Sequence, residues 1–179
     1  MRRAAWLIAL TFALTSCSVP YIPGVTSPPP SAGVTVKDAT GRVVGSGVFL
    51  QEDGGVRILL DLKGFKPGTN AVHIHAVGRC DPPSFESAGP HFNPTRAEHG
   101  SANPKGPHAG DLPNITVDAN GQGHLEVTNS RVSVKPGPAS LVDGNGTALV
   151  VHEGPDDMRT DPDGNSGARI ACGVVTRAG

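Results

Sequence analysis

His73 and His75 stand two residues apart in NAVHIHAV, and four more histidines follow singly: His91 in GPHFNP, His99 in EHG, His108 in GPHAGD and His152 in ALVVHEG. Histidine is the commonest metal ligand, and six of them at the ends of apolar or glycine-rich stretches point to metal chemistry. Alternate side chains of an extended chain leave the same face, so His73 and His75 can reach one ion. His152 ends a different apolar run, and a closed sheet can bring two such ends together. Four imidazoles, those of His73, His75, His91 and His152, suit Cu(II) in a tetragonal arrangement. His91, His99, His108 and Asp111, which follows His108 by three residues, offer three nitrogens and one oxygen, a set suited to tetrahedral zinc. His91 enters both sets because an imidazolate binds through both ring nitrogens. The pattern therefore predicts two adjacent metal sites that share one ligand. His124 falls in no motif and is expected on a strand, facing solvent.

Positioning such a cluster requires several elements. Val34 and Val36 alternate before a turn at 38–41, and residues 43–50 run on to Glu52-Asp53-Gly54-Gly55, a hairpin signal. Val56, Ile58, Leu60 and Leu62 alternate, which puts four apolar side chains on one strand face. Residues 71–77 predict a fourth strand, 115–118 and 124–128 a hairpin about Asn120-Gly121, and 147–152 and 169–175 the last two. Between them lie two long aperiodic stretches, 78–110 and 153–168, rich in Gly, Pro, His or Asp. Loops of this length inside a compact domain are usually functional, and the first holds three of the candidate ligands, with Asp111 directly after it. Eight short antiparallel strands with two long functional loops predict an all-β fold, a Greek-key barrel or sandwich. No internal repeat is present.

The chain has 179 residues, enough for one domain of ordinary size beside an amino-terminal signal. A net charge of −1 without any Lys/Arg run gives no footing for a nucleic-acid partner. Arg2 and Arg3 precede an apolar stretch at 4–14 that is too short to span a bilayer. It ends in Leu14-Thr15-Ser16-Cys17, similar to a bacterial lipobox, in which the signal is cut before a cysteine that becomes lipidated. The expected organisation is a lipoprotein signal at 1–16, a lipidated Cys17 with a Pro-rich tether to residue 32, and a folded domain at 33–179. A tether of Pro20, Pro23, Pro28, Pro29 and Pro30 with small residues between them could reach roughly 45 Å if mostly extended. Two or more acyl chains suffice for stable attachment to a lipid bilayer, so the expected location is the bacterial cell envelope. With Cys17 assigned to lipid, Cys80 and Cys172 remain as a pair in an oxidising compartment, either bridged or as two free thiols. A bridge would close a loop of about 90 residues, worth roughly 4–5 kcal/mol in the chain-entropy model.

HIH, the following cysteine, GPHFNP, the EHG and GPHAGD steps, ALVVHEGPDD and GNSGARIACGV occur in that order. Together they closely resemble the copper/zinc superoxide dismutase family, over residues 33–175. The resemblance implies copper on His73, His75, His91 and His152, and zinc on His91, His99, His108 and Asp111, one ion of each per chain. It implies a disulfide between Cys80 and Cys172. It makes Arg169 the group that docks superoxide anion, and Asp156 the carboxylate that hydrogen-bonds a ligand of each site. The implied activity is dismutation of superoxide to oxygen and hydrogen peroxide, with His91 leaving copper to carry a proton in each cycle. Such an enzyme would protect the envelope from superoxide.

Two features depart from the animal members. The spacing from His75 to Cys80 is short and that from Cys80 to His91 long, as in bacterial relatives. The 153–168 stretch is also shorter, with Arg159 but no lysine, and it carries Asp156, Asp157, Asp161 and Asp163. Lys105 and Arg96, from the other loop, are therefore candidates for steering the substrate. A homodimer is compatible with the resemblance, since dimer surfaces in this family differ between lineages. The alternative to an enzyme is a non-catalytic metal-binding envelope protein on the same fold. Against it, all seven ligand positions and Arg169 are filled.

Overall fold

The computed structural model describes residues 29–178. The expected signal at 1–16, the lipidation site Cys17 and residues 18–28 of the tether lie outside the described residues. Nine strands form: β1 (Ser31–Asp38), β2 (Val43–Glu52), β3 (Gly55–Lys63), β4 (Gly68–Asn70), β5 (Val72–His75), β6 (Ile115–Val117), β7 (Gln122–Asn129), β8 (Thr147–His152) and β9 (Arg169–Arg177). All pair antiparallel, in the order β4-β6-β7-β3-β2-β1-β9-β8-β5. The order begins and ends on strands that are consecutive in the chain, joined by Ala71 alone. The sheet must therefore curl until its two edges meet, and the result is a nearly closed barrel.

Alternation drives the curl. Val56, Ile58, Leu60 and Leu62 of β3 all point inward and are buried, as their spacing predicts, and they meet Phe49, Ile74 and Leu149 in the barrel core. Every residue of β8 is buried, because each of its faces is covered. Leu149 and Val151 face the barrel, while Ala148 and Val150 pack with Phe85, Ala88 and Cys172 in a second cluster outside it. Burying one side chain of the size of Phe85 is worth about 1.5–3 kcal/mol, so this small cluster is a real anchor for the loop that carries it.

The strand count is nine rather than the eight expected, and the reason lies at Ala71. The expected strand at 71–77 is shorter, and a separate three-residue strand, β4, precedes it. The Ala71 N–H donates to Gly154 O at 2.8 Å and its carbonyl accepts from His152 N at 3.0 Å, as the chain crosses from one sheet edge to the other. Past His75 the N–H groups of Ala76 and Val77 turn to Pro90 and Ala88 of the following loop. Strand β1 begins at Ser31, inside the stretch expected to belong to the tether. Ser31 pairs with Leu50 and Ala32 is buried, so the strand alternation of β1 already includes both.

The outer edge of β5 is where the loop from 76 to 114 matters. Ile74 N donates to Gly110 O at 2.9 Å, and Phe92 N donates to Ile74 O at 2.8 Å. Single bridges set His73 opposite Asp111 and His75 opposite His91. The loop thus lies along β5 as an irregular extra partner and satisfies its exposed backbone groups, which a buried edge requires.

Candidate metal centre

Six imidazoles converge between β5, the end of β8 and the two long loops, all of them buried. His73, His75, His91 and His152 present one donor atom each within 4.8 Å of one another, as do His91, His99, His108 and Asp111. Both expected ligand sets are therefore assembled, with His91 common to the two. His124 stands apart on β7, exposed and 2.8 Å from Asp61 on β3 through Nδ1.

Hydrogen bonding on the outward side of each ring decides which nitrogen faces inward. His75 Nδ1 donates to Gly89 O at 2.8 Å, and His152 Nδ1 to Gly167 O at 3.1 Å. Carbonyl oxygens only accept, so these rings carry their proton on Nδ1 and offer the Nε2 lone pair. The two Nε2 atoms stand 3.4 Å apart. His73 Nε2 donates to Asp156 Oδ2 at 2.8 Å and His99 Nε2 to Asp156 Oδ1 at 2.9 Å, which leaves Nδ1 of each ring for the interior. His91 has no outward partner. Its Nδ1 faces Asp111 Oδ1 at 3.0 Å, while its Nε2 is buried without a partner on the other side.

The fit to metal ions rests on those inward atoms. His73 Nδ1, His91 Nε2 and His99 Nδ1 are buried and have no hydrogen-bond partner, an arrangement that costs free energy unless something occupies the space they face. Asp111 Oδ1 lies 3.0 Å from His91 Nδ1, 3.1 Å from His99 Nδ1 and 3.3 Å from His108 Nδ1. Ligands about 2.0–2.1 Å from a tetrahedral zinc ion stand about 3.3 Å from one another, so these spacings suit the ion. The 3.1 Å approach at His99 is not a hydrogen bond, for Nδ1 of that ring has no hydrogen-bond partner.

Electrostatics prepares the donors. Burial, seconded by neighbouring imidazoles, pushes His75 down to about 2 and His152 to about 3. Burial also brings His91 to about 4, although Asp111 pulls it upward. Burial opposes protonation of His99 as well, but Asp111 and Asp156 outweigh it and lift that ring to about 10. The carboxyls of Asp111 and Asp156 are desolvated, which would raise them, yet the imidazoles of His108, His91 and His99 closing around the first, and hydrogen bonds from His73 and His99 to the second, hold both well below the usual carboxylate range. His75, His91 and His152 are thus held as neutral imidazoles beside two ionised carboxylates, the protonation states that divalent metals require, while His99 lies between both carboxylates and must yield its proton to an ion.

Residues without a motif of their own hold this arrangement. Asn114 accepts from Asp156 N at 2.8 Å and donates to Asp156 O at 2.9 Å, gripping the backbone of the linking aspartate. Arg131 donates to the carbonyls of His108 at 3.2 Å and Asp111 at 3.0 Å, and Asn129 to Ala109 O at 2.8 Å. Asp161 accepts from His99 N at 2.6 Å and has Oδ1 3.6 Å from His108 Nε2. The sequence signals none of the four beyond polar residues near glycine or proline.

Cys80 and Cys172 form a disulfide across 92 residues, fastening the 76–91 segment to β9. Three residues before Cys172, Arg169 donates through Nη1 to Phe85 O at 3.0 Å. Its guanidinium lines a cleft of about 420 Å³ together with His75, His91 and His152. Neither candidate steering group from the other loop lines that cleft. Lys105 Nζ is 2.9 Å from Glu98, and Arg96 lines a different cleft beside His91 and His108.

A family model described as copper/zinc superoxide dismutase (SODC) matches residues 43–175. A superoxide dismutase [Cu-Zn] of Aquifex aeolicus is 50% identical over 137 residues, covering 75% of this chain and 81% of its own. One of Caulobacter vibrioides is 41% identical over 148 residues, covering 81% and 85%. The crystal structure of a SOD-like protein from Bacillus subtilis superposes with a TM-score of 0.77 at 40% identity, covering 79% of this chain and 96% of that one.

Proposed function

The chain belongs to the copper/zinc superoxide dismutase family, and from that premise we propose an exported, lipid-anchored superoxide dismutase that protects the bacterial envelope. Its substrate is superoxide anion and its cofactors are one copper and one zinc. The observation that carries the reading is His91, whose two ring nitrogens face two complete donor sets and no protein partner on the outside. When bound, copper on His73, His75, His91 and His152 supplies a one-electron couple that oxidises one superoxide to oxygen and, with two protons, reduces the next to hydrogen peroxide, while zinc on His91, His99, His108 and Asp111 supplies a fixed positive charge.

The residues of the chain do the rest. Arg169 attracts and orients the anion in the cleft beside His75 and His152, held in place by Phe85 O. His91 holds a proton at Nε2 in one half of the cycle and yields it in the other, its Nδ1 remaining on the Asp111 side. Asp156 fixes the rings of His73 and His99 together, so the two donor sets keep one geometry. Cys17 carries the lipid, and the Pro-rich tether lets the barrel stand clear of the bilayer.

Metal analysis of the purified protein paired with a dismutation assay tests the reading. The expected result is near one copper and one zinc per chain, with superoxide-dependent turnover. Copper without zinc would defeat the assignment of His108 and Asp111. Both metals bound without turnover would make the chain a non-catalytic metal-binding member of the family.

A further inference from the structure

The cleft that holds Arg169 is poorly charged for attracting an anion. Among the described residues that line it, Arg169 is the one permanent cation, and Glu86 and Asp163 are both acids. Glu86 is also the nearer competitor. One of its oxygens, Oε2, lies 3.7 Å from Arg169 Nη2, while Nη1 is committed to Phe85 O. The second arm of the guanidinium, the arm left for an anion, therefore faces a carboxylate.

The backbone keeps Glu86 there. Phe85 is buried with a positive φ of 56°, and Glu86 follows it as the first residue of a short 3-10 turn, Glu86–Ala88. Phe85 and Ala88 pack against Cys172, and Cys80 ties the same segment to β9. The Glu86 side chain is itself 75% exposed, against 16% for Arg169, so it can swing away when something displaces it.

We propose that Glu86 sets the rate and anion selectivity of the cleft: its carboxylate competes with the incoming anion for the free arm of Arg169. This rests on Arg169 being the docking group. A monoanion such as superoxide displaces Glu86 at modest cost. A dianion such as hydrogen phosphate meets repulsion from Glu86 and Asp163 twice over, so the pair favours the small monoanion. Exposed ion pairs are weak and screened by salt, so the effect on rate is about two- to fivefold and confined to low ionic strength.

The test compares Glu86→Gln with the parent protein at equal copper and zinc content. The expected result is a kcat/KM about two- to fivefold higher at low salt, converging with the parent as salt rises. A second readout needs no turnover: in the fully zinc-loaded, diamagnetic protein, phosphate is titrated against the side-chain ¹⁵N signals of Arg169. Half-saturation should fall in Glu86→Gln, with a larger fall at pH 8 than at pH 6, where phosphate is mostly monoanionic. An unchanged or lower rate, with unchanged phosphate binding, would overturn the proposal. So would an equal gain when Glu86→Gln is added to Arg169→Ile, since competition for the guanidinium would then play no part. Full activity of Arg169→Ile alone would instead remove the docking role on which the proposal rests, whatever Glu86→Gln does.

Discussion

Gly164 lies so close over Asp156 that a β-carbon at position 164 would collide with Oδ1 of the carboxylate. The same carbon would stand 2.7 Å from His99 Nε2, and the backbone there has a φ of +66°, which only glycine adopts at no cost. The 153–168 loop therefore seals the hydrogen bond between Asp156 and His99 with bare backbone. Gly164 N donates to Thr160 O at 2.7 Å and Gly164 O accepts from Asp157 N at 3.0 Å, so the loop cannot simply lift at that point.

Gly164→Ala is thus expected to act like a change at Asp156 itself. The added methyl must push the carboxylate off His99 or open the loop to water. Loss of an outer carboxylate typically weakens metal binding tenfold or more, and Gly164→Ala and Asp156→Asn should both show a loss of that size for zinc. Competition with a coloured chelator measures it. Zinc retention equal to that of the parent in Gly164→Ala would mean that the loop relaxes around the methyl group.

Cys80→Ser tests the anchor on the other loop. The bridge closes 92 residues, and removing one of that size typically costs about 2–5 kcal/mol. The loss should appear as a lower denaturation midpoint in urea. Because the freed segment leads directly into His91, copper and zinc content should fall as well. A variant that loses stability but keeps both metals would show that Phe85 and Ala88 alone hold the segment in register.

The site was legible in the sequence where chemistry lives in residue type and local spacing. Histidines two apart on a strand share a face whatever surrounds them, and the Val56–Leu62 alternation could only be one inward strand face. What escaped depends on contacts between distant segments. The break at Ala71 follows from a hydrogen bond to Gly154, and the shared edge of β5 from pairing with 90–92 and 110–111, neither of which has a local pattern. Asn114, Arg131 and Asp161 act through backbone atoms of other loops, so their neighbours in sequence carry no hint of what they hold. Lys105, by contrast, pairs with Glu98 only seven residues earlier in its own loop.

Arg169→Ile separates substrate binding from metal binding. Arg169 reaches Phe85 O and Glu86 but none of the six histidines by hydrogen bond or ion pair among the described residues. Copper and zinc content should therefore stay at the parent level while kcat/KM falls about tenfold or more, as expected when local attraction of a charged substrate is lost. The remaining activity should depend less on ionic strength, because the one permanent cation among the described residues of the cleft is gone. Unchanged activity at equal metal content would refute the docking role.

Cys17→Ala tests the anchor and the compartment together. If Cys17 is the lipidation site, the substitution blocks processing and leaves a longer precursor without acyl groups. The barrel should be indifferent, because β1 begins only at Ser31 and the Pro-rich segment separates it from Cys17. The Cys80–Cys172 bridge should still form after export, and a barrel produced without residues 1–28 should be active once metallated, since Pro30 O and Ser31 already pair with β2 and the carboxyl-terminal end. Mass spectrometry of the mature amino terminus gives the decisive readout. A lipid-modified Cys17 is the expected end group; an unmodified end at any other residue would refute the anchor and leave the metal centre and its chemistry as they stand.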